Sequence, residues 1–183
     1  TGLSFFRSEP AGSLKNIGFS FFCVVITLST ACLFSHGSAT LLLNLLFYAS
    51  LCIVTVYDFV EYSIPSFCSV LFIPINLACC YYKILPISLT ESIMTAVVSS
   101  GIFFILAKKF KHHTNNDGMG LGDIELVAMI SSFVGAEYIS LIVLLASILG
   151  LLFHYITKTS AIPFGSALAL ATVYINMTLF LTK

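Results

Sequence analysis

Long runs of apolar residues alternate with short polar connections along this sequence. A helix that crosses a bilayer needs about 20 mainly apolar residues. Windows of that kind predict an all-α fold, a polytopic membrane helix bundle with about seven transmembrane helices. The fifth, which starts in the sequence GLGD, is short for a full crossing. The predicted segments are 17–35, 39–57, 64–82, 89–107, 122–135, 138–157 and 162–181.

The composition favours the same class. Of the 183 residues, 58% are hydrophobic and only 9% are charged, whereas a soluble domain carries about 25% charged residues. Such a small number of charges cannot cover a water-facing surface, and membrane lipid is therefore an expected partner. Residues 1–183 are expected to form one integral membrane domain. The formal net charge is zero and there is no long basic tract, which argues against nucleic acid as a partner.

Lysine and arginine in the connections predict the orientation, since they concentrate on the cytoplasmic side of a membrane. Alternation of the seven segments puts six of the eight on one face, which is therefore predicted to be cytoplasmic. The six are Arg7, Lys15, Lys108, Lys109, Lys111 and Lys158, and the other two are Lys83 and Lys183. The polar loop 108–120 is predicted to lie on the same face.

The six cysteines all fall within apolar segments, and none is spaced as a C-x-x-C pair. A structural zinc site needs such paired spacing. The two histidines of loop 108–120 are flanked by lysines rather than by acids. We therefore predict no metal and no cofactor.

Two acids that are 65 positions apart in sequence are predicted to meet at the cytoplasmic face. The segment VYDFVEYSIP, residues 56–65, places Asp58 in the turn after the second span, and Asp123 begins the fifth. Each acid alone has a structural explanation, as a helix end or as a partner of the helix dipole. An acid within a membrane span nevertheless suggests function. Two close carboxylates can share one proton, so that one activates a water while the other polarises a carbonyl.

Glycines precede the second acid in GMGLGD, at positions 118, 120 and 122. A peptide bond is cleaved only when its helix opens, and extended backbone at membrane depth needs hydrogen-bond partners from protein. Gly118, Gly120 and Gly122 carry no side chain, so a substrate strand can lie close to this backbone. Together with Asp58, this pattern predicts proteolysis within the membrane.

Three motifs resemble those of the type IV prepilin peptidases, which are membrane aspartic proteases of the G-x-G-D class. GMGLGDIEL is similar to their G-M-G-x-G-D-x-K-L, YDFVEYSIP to their aspartate followed by Ile-Pro, and IPFGSALALA, residues 162–171, to I-P-F-G-P-x-L-x-x-A. The resemblance runs from about residue 40 to residue 183. It implies catalysis by Asp58 and Asp123, and a site shaped by the residues Gly118, Gly120, Gly122, Pro163 and Gly165.

The resemblance also implies a substrate and a location. Such enzymes remove the short basic leader of a prepilin or prepilin-like protein, after a glycine, at the cytoplasmic face of the bacterial inner membrane, for type IV pili or protein secretion. Three departures stand out: Glu125 replaces a lysine, Ser166 replaces a proline, and the four-cysteine cytoplasmic region of larger members is missing. N-methylation of the product and the oligomeric state are left open.

Three alternatives accompany this interpretation. The presenilin and signal-peptide-peptidase branch shares Y-D and G-x-G-D, although the chain has IPFG where that branch has Pro-Ala-Leu. A small membrane transporter would use Asp58 and Asp123 as ion ligands, but no internal repeat is visible in the sequence. A catalytically inactive assembly subunit is the third.

Overall fold

The computed structural model describes residues 38–61, 64–114, 120–158 and 163–181, and within them every regular element is a helix. The predicted all-α class is therefore confirmed. The helices are α1 (Ser38–Glu61), α2 (Ser66–Val70), α3 (Phe72–Tyr81), α4 (Leu89–Thr114), α5 (Leu121–Val134), α6 (Ala136–Thr157) and α7 (Phe164–Leu181). The predicted first segment, 17–35, lies outside the described residues, so the count of seven stays a prediction.

Helix α5 is the centre of the bundle, and α2, α3, α4, α6 and α7 all pack against it. From Leu126 to Phe133 each of its residues is buried. The rings of Phe47 and Phe133 join it to α1, because they stack with centroids 3.8 Å apart. Asn76 on α3, which is fully buried, donates to the carbonyl of Met129 and to the hydroxyl of Ser132.

Three described helices are long and apolar enough to cross a membrane: Ala39–Asp58, Leu89–His113 and Ala136–Ile156. The outer helices α4 and α6 keep many large apolar side chains exposed, such as Val97, Ile105, Leu144 and Leu151. Such a surface is unfavourable in water but suits lipid. These features are those of a membrane helix bundle.

The helix predicted over residues 64–82 is present as α2 and α3, which together form one apolar helix, Ser66–Tyr81. It is irregular only at Leu71, whose backbone stays helical with φ −65° and ψ −30°. Pro74 accounts for the irregularity, because its ring has no N–H to donate to the carbonyl of Val70 and crowds that carbonyl in a regular helix. A correction concerns loop 108–120, since residues 108–114 belong to α4. Alanine and lysine are good helix formers, and a helix can continue beyond a membrane into water.

Candidate active site

Asp58 lies in the last turns of α1, not in the predicted turn that follows a helix. The helix continues to Glu61 because no residue interrupts it before Pro65, which disfavours helical backbone at the residue before it. The side chain is nearly buried, with 5% of its surface exposed. A carboxylate this enclosed needs hydrogen-bond partners from the protein.

Helix α7 supplies such a partner from more than a hundred residues away. The backbone N–H of Ser166 donates to Asp58 Oδ2 at 2.7 Å. The first N–H groups of a helix have no acceptor within the helix, and its N-terminus favours negative charge. Asp58 therefore caps α7 from another helix, and α7 in turn fixes the carboxylate in place.

Pro163 lies immediately before the first residue of α7. It is buried, and its carbonyl accepts the hydroxyl of Ser166 at 2.7 Å and the N–H of Ala167 at 3.3 Å. Proline is favoured at a helix start, because the backbone N–H that it lacks would have no acceptor within the helix there. Pro163 thus shapes the helix start that holds Asp58.

Asp123 lies in the first turn of α5 and is half-buried. Its Oδ2 accepts the N–H of Gly120 at 3.3 Å. Gly122, which precedes Asp123, and Gly165, which lies against Asp58, both contact Ile64, so the two carboxylates lie in the same part of the bundle. The structure therefore brings together, at one end of the bundle, the two acids that the alternation of segments predicted to meet.

Five glycine and proline positions were carried over from the resemblance. At two of them, Gly122 and Gly165, other residues lie too close to the backbone for a Cβ to fit. A Cβ on Gly122 would stand 2.8 Å from the Cβ and 3.2 Å from the carbonyl oxygen of Ile64. A Cβ on Gly165 would stand 2.5 Å from Ile64 Cδ1 and 3.3 Å from Asp58 Cγ. Gly120 is exposed and contributes its N–H to Asp123, whereas Gly118 lies outside the described residues.

Glu125, the departure that is nearest to Asp123 in sequence, is half-buried on α5. Its Oε2 is enclosed and has no hydrogen-bond partner among the described residues. Within the same ranges, no three His, Cys, Asp or Glu side chains are grouped as metal ligands. Among the described residues no disulfide joins Cys52, Cys68, Cys79 or Cys80 to another cysteine. That the protein needs no metal stays a prediction.

Sequence reasoning assigned no role to two residues that contact the site. Ile64 appeared only as part of an Ile-Pro motif, and Ser166 only as a departure from a proline. Their roles depend on contacts across 58 residues, between Ile64 and Gly122, and 108 residues, between Asp58 and Ser166. The sequence signal for the role of Ser166 was a serine where the family motif has proline, because a proline there would have no N–H to donate to Asp58.

Comparison with known proteins gives a family match that contains both acids. The family model described as the type IV leader peptidase family matches residues 45–155. The match ends before the third motif at residues 162–171. No solved structure matches the chain.

Curated relatives are similar over about half of this chain. The type 4 prepilin-like proteins leader peptide-processing enzyme of Escherichia coli O78:H11 is 31% identical over 96 residues, which are 50% of this chain and 36% of that protein. The prepilin leader peptidase/N-methyltransferase of Aeromonas hydrophila is 29% identical over 92 residues, 46% of this chain and 32% of the relative. That of Pseudomonas putida is 33% identical over 92 residues, with the same coverage. The chain thus matches about a third of the length of these relatives.

Proposed function

The chain belongs to the type IV leader peptidase family, and on this basis we propose that it is a membrane-embedded aspartic endopeptidase that removes the leader peptide of a prepilin or prepilin-like protein. The observation that carries the proposal is the meeting of Asp58 and Asp123 at one end of the bundle. Membership of this family favours leader cleavage over the presenilin-like alternative.

We assign general acid and base roles to the two carboxylates. One, ionised, takes a proton from water as the water oxygen attacks the scissile carbonyl, and the other, protonated, donates to the carbonyl oxygen. The intermediate then collapses as the C–N bond breaks and a proton passes to the leaving nitrogen. We assign the ionised role to Asp58, because the backbone N–H of Ser166 donates to its carboxylate at 2.7 Å and such a hydrogen bond stabilises the charged form.

Leader removal is tested with a tagged prepilin-like protein whose short basic leader ends in glycine. It is co-expressed with this chain in a host from which prepilin peptidases have been deleted. We expect a leader-sized mobility shift and a new N-terminus at the residue after the glycine. A matched substrate with that glycine replaced by a large residue should stay uncut. An unshifted band with the glycine substrate, when this chain is present in the membrane, would contradict the proposal.

The acid-bearing end is proposed to face the cytoplasm, with the protein a multi-pass protein of the bacterial inner membrane. This end holds Asp58, Ile64, Gly122 and Gly165, which lie together. Gly135, between α5 and α6, lies elsewhere, against Ile87 and Glu91 near the start of α4. The lysines of α4 at 108, 109 and 111 come just before the acid-bearing start of α5, and lysine favours the cytoplasmic side.

A reporter inserted after His113 is therefore expected to behave as cytoplasmic, and the same reporter inserted after Ile84 as exported. A paired phosphatase and fluorescent-protein fusion at each position measures this. Export of the fusion at His113 would contradict the orientation.

A further inference from the structure

Ile64 is the one described residue whose side chain would be met by a Cβ on both Gly122 and Gly165. It follows the end of α1 and is half-buried. Its Cβ and carbonyl oxygen lie against Gly122, at 2.8 and 3.2 Å from where a Cβ would stand. Its Cδ1 and Cγ1 lie against Gly165, at 2.5 and 3.2 Å from the corresponding position. The side chain therefore fills the space between the starts of α5 and α7.

Each of those two helix starts is tied to one of the acids: α5 carries Asp123, and α7 donates to Asp58 of α1. Gly122 immediately precedes Asp123 in the first turn of α5. The position that a Cβ would take on Gly165 is also 3.3 Å from Asp58 Cγ, and the N–H of Ser166 donates to that carboxylate. A change in how Ile64 packs would thus displace the start of α5, which carries Asp123, relative to the start of α7, which holds Asp58 in place.

We propose that Ile64 is a positioning residue, whose side chain acts as a spacer that sets the separation of Asp58 and Asp123. This inference rests on the proposed peptidase function. Protein interiors are packed densely and transmit displacements, and a shift of about 1 Å in a catalytic geometry can cost roughly 100-fold in rate. The side chain of Ile64 has no group that takes or donates a proton, so it acts through the carboxylates.

The two contacts involve different atoms of Ile64, and this difference gives a specific test. Valine lacks Cδ1, the atom nearest to Gly165, but keeps the Cβ and the backbone that contact Gly122. Ile64→Val should therefore relieve the clash made by Gly165→Ala and should leave the clash made by Gly122→Ala in place. The same substitution thus provides the rescue in one background and the matched control in the other.

The assay measures kcat and KM for leader cleavage by purified wild type, the three single variants, and the two double variants that carry Ile64→Val. We expect Gly165→Ala and Gly122→Ala each to lower kcat by about 10- to 100-fold with KM little changed. Ile64→Val alone should lower kcat by a few-fold, roughly threefold. Adding Ile64→Val to Gly165→Ala should restore kcat by about tenfold, and adding it to Gly122→Ala should restore none.

Four results would overturn the inference. They are full activity of Gly165→Ala, no rescue of that variant by Ile64→Val, equal rescue of both glycine variants, and recovery of the melting temperature without recovery of kcat. The last would assign Ile64 a structural role only. Failure of the wild type to cleave is a separate outcome, which would overturn the proposed function and this inference with it.

Discussion

Asp58→Asn and Asp123→Asn are each expected to abolish leader cleavage, lowering kcat by about 1,000-fold or more. Asparagine keeps the size of the side chain, and its carbonyl oxygen still accepts the N–H of Ser166 or of Gly120. It can neither take a proton from water nor hold the proton that the pair shares. Insertion into the membrane and binding of substrate should therefore change little. Single-turnover cleavage and a substrate pull-down measure the two properties separately.

Glu61→Gln and Glu125→Gln are the controls, because both acids lie close in sequence to the proposed pair. Glu61 is exposed, and Glu125 is half-buried with an unpaired Oε2 among the described residues. Both variants should cleave at close to the wild-type rate. If Asp58 served only to cap α7, its replacement would cost about 1 kcal/mol of stability and little turnover. Near wild-type cleavage by Asp58→Asn would end the aspartic mechanism, and loss of activity in Glu125→Gln would move the proposed acid along α5.

Gly135→Ala is expected to produce the largest loss of stability among single alanine substitutions of glycine in the described residues. The backbone of Gly135, between α5 and α6, has φ 79° and ψ −176°, a region open almost only to glycine. A Cβ there would also stand 2.9 Å from Glu91 Oε1 and 3.2 Å from Ile87 Cγ2. The strain alone costs about 1–3 kcal/mol, so the melting temperature in detergent should fall by several degrees.

Gly101→Ala is the matched control, because it makes the same chemical change inside α4. A Cβ on Gly101 would meet nothing within 4 Å, and alanine favours a helix over glycine by about 1 kcal/mol. The melting temperature of this variant should stay the same or rise. Equal melting temperatures for the two variants would contradict the account of Gly135. Because Gly135 contacts neither Asp58 nor Asp123, kcat per folded molecule should be preserved in both variants.

The sequence was sufficient to predict the features that depend on apolar runs and their alternation. Such runs predicted a helical bundle, and alternating their direction put Asp58 and Asp123 at the same end. The helix boundaries were less accurate where local chemistry competes with hydropathy. Pro74 makes the helix Ser66–Tyr81 irregular at Leu71, between α2 and α3, and the lysine-rich end of α4 continues as helix to Thr114. Both effects are local and could have been anticipated from proline geometry and helix propensity.

The contacts that build the candidate site could not be predicted in the same way. The N–H of Ser166 reaches Asp58 across 108 residues, and Ile64 packs on Gly122 and Gly165 from two other helices. Such contacts depend on how the helices rotate about their axes. In a mostly apolar chain the pattern of residues specifies that rotation poorly, because lipid-facing and core-facing side chains are equally hydrophobic.

Mass spectrometry of a prepilin-like substrate after incubation with the purified protein in lipid vesicles tests the central claim most directly. The wild type is predicted to yield a leader that ends in glycine and a mature chain that begins at the next residue. Under the same conditions Asp58→Asn, Asp123→Asn and the double variant should yield only intact substrate. Cleavage at that bond by the double variant, at a rate near that of the wild type, would contradict the assignment of Asp58 and Asp123 as the catalytic pair.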